Sequence, residues 1–161
     1  MGVFIPANTV YAVQGLGGAT FYSCNVSGDE IGSYFISEMD AAGVHTNPQD
    51  PDMIGKSGRC LILITNDAER SMSSFLGVSQ ELDVDDINLE ALKRSQYVYI
   101  EGYLASSNTA STAAVLAREE AQEAGVLTSL TLSDPSIVDN YHPALKKMLG
   151  NGVHQLFCNE K

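Results

Sequence analysis

Apolar and polar positions change their spacing several times along the chain, and each change marks a new element. Residues 7–16 suit a helix, with Gly17-Gly18 as its stop signal. Residues 19–24, rich in Thr and aromatic side chains, predict a strand. From 29 to 42 the helical period returns, with Ile31, Phe35 and Met39 on one face and Gly43 as the stop. Asn47-Pro48-Gln49-Asp50-Pro51-Asp52 reads as a turn. Two strand-like runs, 59–65 and 71–76, flank the polar link Asn66-Asp67-Ala68-Glu69-Arg70, which suits a hairpin loop. Residues 89–94 predict a short helix and 97–100 a buried strand. An Ala-rich helix over 109–124, stopped by Gly125, precedes a strand at 126–132, a helix at 135–149 and a strand at 153–158.

From Tyr97 onward the order is β-α-β-α-β with short links, which predicts parallel strands joined by right-handed helical crossovers. The fold class is therefore α/β, a Rossmann-like parallel sheet with flanking helices. The 59–76 hairpin does not fit that sheet and is expected to form a separate small β layer. A length of 161 residues predicts one compact domain. A formal net charge of −11 argues against a nucleic-acid surface, which needs clustered Lys and Arg, and against docking on anionic lipid. No apolar run is long enough to span a bilayer and the first residues do not resemble a signal peptide, so a cytoplasmic location is expected. Cys24, Cys60 and Cys158 lie in apolar stretches without metal or disulfide spacing, and are expected to be buried reduced thiols. His45, His142 and His154 also lack ligand spacing and read as loop or surface residues.

Three segments carry a family resemblance. The first runs from Asn8-Thr9 through Gly17-Gly18-Ala19-Thr20 to Ser27-Gly28-Asp29-Glu30-Ile31-Gly32. It resembles the first signature of the ribokinase-like (PfkB) sugar and nucleoside kinases: an Asn on a helix, a Gly pair, a strand, then a Gly-x-Asp-x-x-Gly turn. The second, Gly58-Arg59-Cys60-Leu61-Ile62-Leu63-Ile64-Thr65 with Asp67 to Met72 and Gly77, is similar to the lid hairpin of the adenosine-kinase-like branch. The third comprises Tyr99-Ile100-Glu101-Gly102, Thr131-Leu132-Ser133-Asp134-Pro135 and Leu156-Phe157-Cys158-Asn159-Glu160, which resemble consecutive strand ends of that branch. The three occur in the family's order and spacing over nearly the whole chain.

The resemblance implies a single partial kinase domain over 1–161, with a lid hairpin at about 56–77, and transfer of a phosphoryl group from ATP, with Mg²⁺, to a sugar or nucleoside hydroxyl. By family position Asn8 would bond sugar hydroxyls, although a helix cap suits the same residue. Glu101, at a strand end before Gly102, suits a carboxylate accepting bonds from sugar hydroxyls, against a solvated or capping role. Arg70, with Arg59, could close over substrate from the lid or simply face water. Asp29 is read as the N-terminal acid of the second helix. Asn159 and Glu160 resemble the start of the Asn-x-x-Glu element linked to magnesium and phosphate. Departures accompany the match. Val3-Phe4 replace the expected Gly pair, Val10 a small residue, and Ser27 the Gly that opens the turn. The family's early sugar-binding acid and its Gly-Ala-Gly-Asp segment, which supplies the base and the anion-hole amides, do not occur in these residues. The expectation is an acceptor-binding fragment, inactive alone, binding neither nucleic acid nor membrane and able to dimerise through the lid. The alternative is a non-catalytic α/β module that binds a nucleoside or a protein.

Overall fold

The computed structural model describes residues 5–47, 50 and 52–160, and the chain divides into two compact units, Met1–Ser79 and Gln80–Lys161. The first contains α1 (Ile5–Gly15), β1 (Phe21–Tyr22), α2 (Glu30–Ala41), β2 (His45–Thr46), β3 (Arg59–Ile64) and β4 (Arg70–Phe75). Strands β1 and β2 pair in parallel, Phe21 opposite His45, across the α2 crossover. Strand β2 carries no sequence signal because two residues cannot display a period.

Helix α2 starts at Asp29, whose side chain caps the Gly32 amide, and stops at Gly43, which sits at φ +80°. Of the three residues expected on its inner face, Met39 is buried, whereas Ile31 is 38% exposed. The cause is where α2 packs: Ala7, Met39 and Val44 form the core with Val10, Tyr22, Phe35 and Ala42, so only the later turns of α2 meet it. The predicted turn at 47–52 includes residues 48, 49 and 51, and the Val3-Phe4 departure lies at 3–4; all of these are outside the described residues.

Strands β3 and β4 pair antiparallel, from Arg59 opposite Phe75 to Ile64 opposite Arg70, as a two-stranded sheet of their own. Arg70 is thus the first residue of β4 rather than the end of the loop. The link is tight enough to place Ala68 at φ +65°.

The second unit contains α3 (Leu89–Lys93), β5 (Tyr97–Glu101), α4 (Asn108–Glu123), β6 (Leu127–Thr131), α5 (Pro135–Leu149) and β7 (Gln155–Phe157). The three strands lie side by side in the order β5-β6-β7, all parallel, as the alternating pattern predicts. One row of the register runs Glu101, Thr131, Phe157. Helix α4 turns a face of small side chains inward, Ala110, Ala113, Ala114, Ala117 and Ala121. These let it lie close to the sheet. Ile100, Ala105, Ala114, Leu130, Ile137, Leu145 and Met148 form the main core. Helix α5 starts as predicted at Pro135, capped by Asp134, and is interrupted at Tyr141 (φ −125°, ψ 21°), two residues before Pro143.

The strand at 97–100 is not uniformly buried: Tyr97 is 53% exposed, and burial deepens to Ile100 and then to a charged residue, Glu101. Only Cys24 is a buried thiol; Cys60 is half-buried in the two-stranded hairpin and Cys158, just past β7, is exposed. Short 3₁₀ turns at Gly77–Glu81, Val84–Asp86 and Gly102–Ser106 were not anticipated, since one turn shows no periodicity.

Leu130 is completely buried at the centre of the parallel ladder. Leu130→Ala should cost about 2–5 kcal/mol in urea unfolding followed by circular dichroism. A loss below about 1 kcal/mol would show that this core is not the one that holds the second unit together.

Candidate functional site at the carboxyl edge of the parallel sheet

The carboxyl ends of parallel strands collect side chains from consecutive loops, which makes this edge the usual ligand site of open α/β sheets. Glu101 ends β5 and is only 2% exposed. Its Oε2 accepts a hydrogen bond from the Ser133 hydroxyl at 3.2 Å. Its Oε1 is buried and has no partner among the described residues. Burial holds the Glu101 carboxyl above the ordinary glutamate range, opposed by hydrogen bonds from Tyr99 and Ser133. Arg118 Nε is also buried and unpartnered, but the same guanidinium donates at 2.8 Å to Gln122 and to Glu119. Among the described residues no cation comparably offsets the Glu101 carboxylate.

The backbone around Glu101 is shaped to hold it. A Cβ on Gly102 would stand 2.5 Å from the Thr131 carbonyl oxygen, so only glycine lets the chain turn so close to β6. Ser133 adopts φ +65°, uncommon for a side-chain-bearing residue, and its amide donates to Thr131 Oγ1 at 3.2 Å. That conformation brings the Ser133 hydroxyl to the carboxylate. Gly102 is readable from the sequence only as the residue closing the strand, and nothing in the sequence signals a positive φ at a serine.

Asp134 accepts from the Ser136 amide at 2.8 Å, and the hydrogen bonds of Ser136 hold its carboxyl below the ordinary aspartate range. It is a helix cap. The Tyr103 phenol, on the turn after Glu101, is raised by burial and by the nearby Asp134 and Glu101 carboxylates. Asn159 and Glu160 leave β7 at this same edge, where Phe157 accepts from the Leu132 amide at 2.9 Å; both are exposed. The edge therefore gathers Glu101, Ser133, Asp134, Asn159 and Glu160. Asn8 and Arg70 belong to the first unit. Asn8 is the fourth residue of α1 and exposed, past the capping position. Arg70 is exposed at the start of β4. Arg59 stacks 5.5 Å from the Phe75 ring centre instead of extending freely. Asp29 is the N-cap of α2, as read. Among the described residues no three His, Cys, Asp or Glu side chains converge to hold a metal ion.

A parallel sheet with flanking helices, a detached two-stranded hairpin and a buried acid at the strand ends define a ribokinase-like α/β fold. The chain belongs to the pfkB family of carbohydrate kinases, whose family model matches residues 6–161. It is similar to the adenosine kinase from Sinorhizobium meliloti, with 32% identity and a TM-score of 0.85 over 94% of this chain and 46% of that one. It is 26% identical to fructokinase-1 of Zea mays over 86% of this chain and 43% of that protein. The fructokinase from Xylella fastidiosa described with bound ATP shares the fold, with a TM-score of 0.79 and 20% identity over 91% of this chain and 48% of that one. The chain thus spans less than half the length of these relatives.

A raised carboxyl pKa in the folded chain has a defined sign. Its contribution to stability is full below the ordinary glutamate value of about 4.3 and is lost as pH rises through the folded value. Glu101→Gln carries no such term, so its stability advantage over wild type should widen between pH 4 and pH 8 in urea titrations. A pH-independent difference would remove the buried, charge-penalised carboxyl from the description.

Proposed function

We propose that this chain carries the acceptor-binding side of an ATP-dependent kinase that phosphorylates an alcohol group of a sugar or nucleoside. The observation that carries the reading is Glu101, a buried carboxylate with one oxygen unpartnered, at the strand edge where this class of sheet binds ligands. Leaving such an oxygen unsatisfied costs about 1–3 kcal/mol, and a ligand hydroxyl donating to Oε1 would recover it. Asn8 would add a contact from α1 and Arg70 one from the hairpin, which acts as the lid over 56–77 of one partial kinase domain. Asn159 and Glu160 would lie toward the phosphate and metal.

Mg²⁺-ATP would be the phosphoryl donor of the complete enzyme. The base and anion-hole amides that phosphoryl transfer needs belong to the family's Gly-Ala-Gly-Asp element, which these 161 residues do not include. The chain alone should therefore transfer no phosphate. A net charge of −11 disfavours nucleic acid, and no helix among the described residues is long and apolar enough to cross a membrane; a cytoplasmic location fits this reading.

The hairpin is apolar on both faces, with Leu61 and Leu63 exposed on one and Ile62, Ile64 and Met72 on the other. A lid uses one face for the acceptor. The other, beside open strand edges, suits a second copy of this chain. Sedimentation at micromolar concentration should show dimers that Ile62→Lys dissolves; a monomer at every concentration would remove the second copy from the proposal.

Ligand-observed NMR with adenosine, ribose, fructose and ATP tests the main reading. One of the first three should bind with a Kd on the order of 1 mM, because many of the contacts of a complete site are missing. Glu101→Ala should weaken it at least about tenfold without loss of fold. Binding of ATP alone, or acceptor binding indifferent to Glu101, would contradict the assignment.

A further inference from the structure

The two ends of the hairpin are tied to a single short segment ahead of α2. Asp29 Oδ1 caps α2 by accepting from the Gly32 amide at 2.9 Å, and the same oxygen accepts from the Ser57 hydroxyl at 2.5 Å. Its Oδ2 accepts from the Ser57 amide at 3.0 Å. Ser57, only 2% exposed, also receives the Ser27 amide on its hydroxyl at 3.0 Å, and the Ser27 hydroxyl donates to the Gly55 carbonyl at 3.1 Å. At the other end of the hairpin the Ser79 hydroxyl donates to the Asn25 carbonyl at 3.1 Å. The two arms of the neck are joined directly: the Val78 amide donates to the Lys56 carbonyl at 3.0 Å. Space confirms how close the parts lie. A Cβ on Gly32 would stand 2.0 Å from the Ser27 carbonyl oxygen and 2.6 Å from the Ser57 hydroxyl, and one on Gly77 would stand 2.0 Å from the Lys56 carbonyl oxygen.

We propose that Asp29 is the positioning residue of the hairpin, one carboxylate closing the first turn of α2 and holding the neck at Ser57. The angle at which β3 and β4 leave α2 is then set by a helix cap, because the exposed hairpin has few contacts of its own to fix it. Residues 55–57 cannot serve as a free hinge, although the pattern of Lys56-Ser57-Gly58 invites that reading. Any swing is confined to the links beyond the clamp, Gly58 on one arm and Leu76 on the other. The clamp acts in the same way whether or not the hairpin covers a ligand.

Asp29→Asn isolates this role. Asparagine caps helices about as well as aspartate, so α2 keeps its cap. One of the two atoms becomes an amide nitrogen, so either the Ser57 amide meets a donor or the cap is given up. Nitroxide labels at Asn66→Cys in the hairpin turn and Glu38→Cys on α2, with Cys60→Ser and Cys158→Ser, would report the angle by pulsed EPR. The parent should give one narrow distance distribution. Asp29→Asn and Ser57→Ala should each widen it at least twofold while far-UV circular dichroism stays unchanged. A parent distribution that is already broad, or equal widths in the variants, would overturn the proposal. Should Asp29→Asn fail to fold, Ser57→Ala and the parent distribution decide the matter.

Discussion

Parallel pairing of β5, β6 and β7 is the constraint from which the second unit follows. Strands that run the same way cannot be joined by a tight turn, so each connection must travel back along the sheet as a helix. Helices α4 and α5 supply those returns, and their amphipathic faces become the cover of the sheet. The same geometry brings every strand end to one edge. Glu101, Thr131 and Phe157 form one row, and the residues that follow them emerge together although 30 and then 26 positions separate them along the chain.

At that edge the fold accepts a local penalty. A carboxylate among the most buried residues, with an unpartnered oxygen, is unfavourable in a chain otherwise free to place an apolar side chain there. Gly102 gives up a side chain to let the backbone pass β6, and Ser133 takes an uncommon conformation to reach the carboxylate. Local departures of this kind cluster where a protein binds or reacts. The core around Leu130 and Met148, ordinary and well packed, is what holds them.

Much of the architecture could be read in advance because it rests on long periodic segments. The 16 residues of α4 and the 15 of α5 repeat their pattern often enough to be unambiguous, and Asp134-Pro135 marks a helix start by cap chemistry alone. What escaped was short or non-local. Strand β2 has two residues, and the 3₁₀ turns have three to five. Glu101 is legible as a candidate by its place before Gly102, but its depth is not, since burial depends on partners distant in sequence such as Ser133 after β6. Ser133 carries no sequence signal for the same reason. Ile31 shares the spacing of Phe35 and Met39 but not the burial of Met39, because helical spacing says which residues share a face, not how much of that face is covered.

The hairpin's exposed apolar faces also bear on how copies of this chain approach one another. Each copy carries a net charge of −11, so encounters between them begin against mutual repulsion. Dissolved salt shortens the reach of that repulsion to about 8 Å at physiological strength, while apolar contact through side chains such as the exposed Leu61, Ile62, Leu63 and Ile64 would be hardly affected by ions. If copies meet through their hairpins as proposed, added salt should favour the encounter, because it screens the repulsion and leaves the apolar contact almost unchanged.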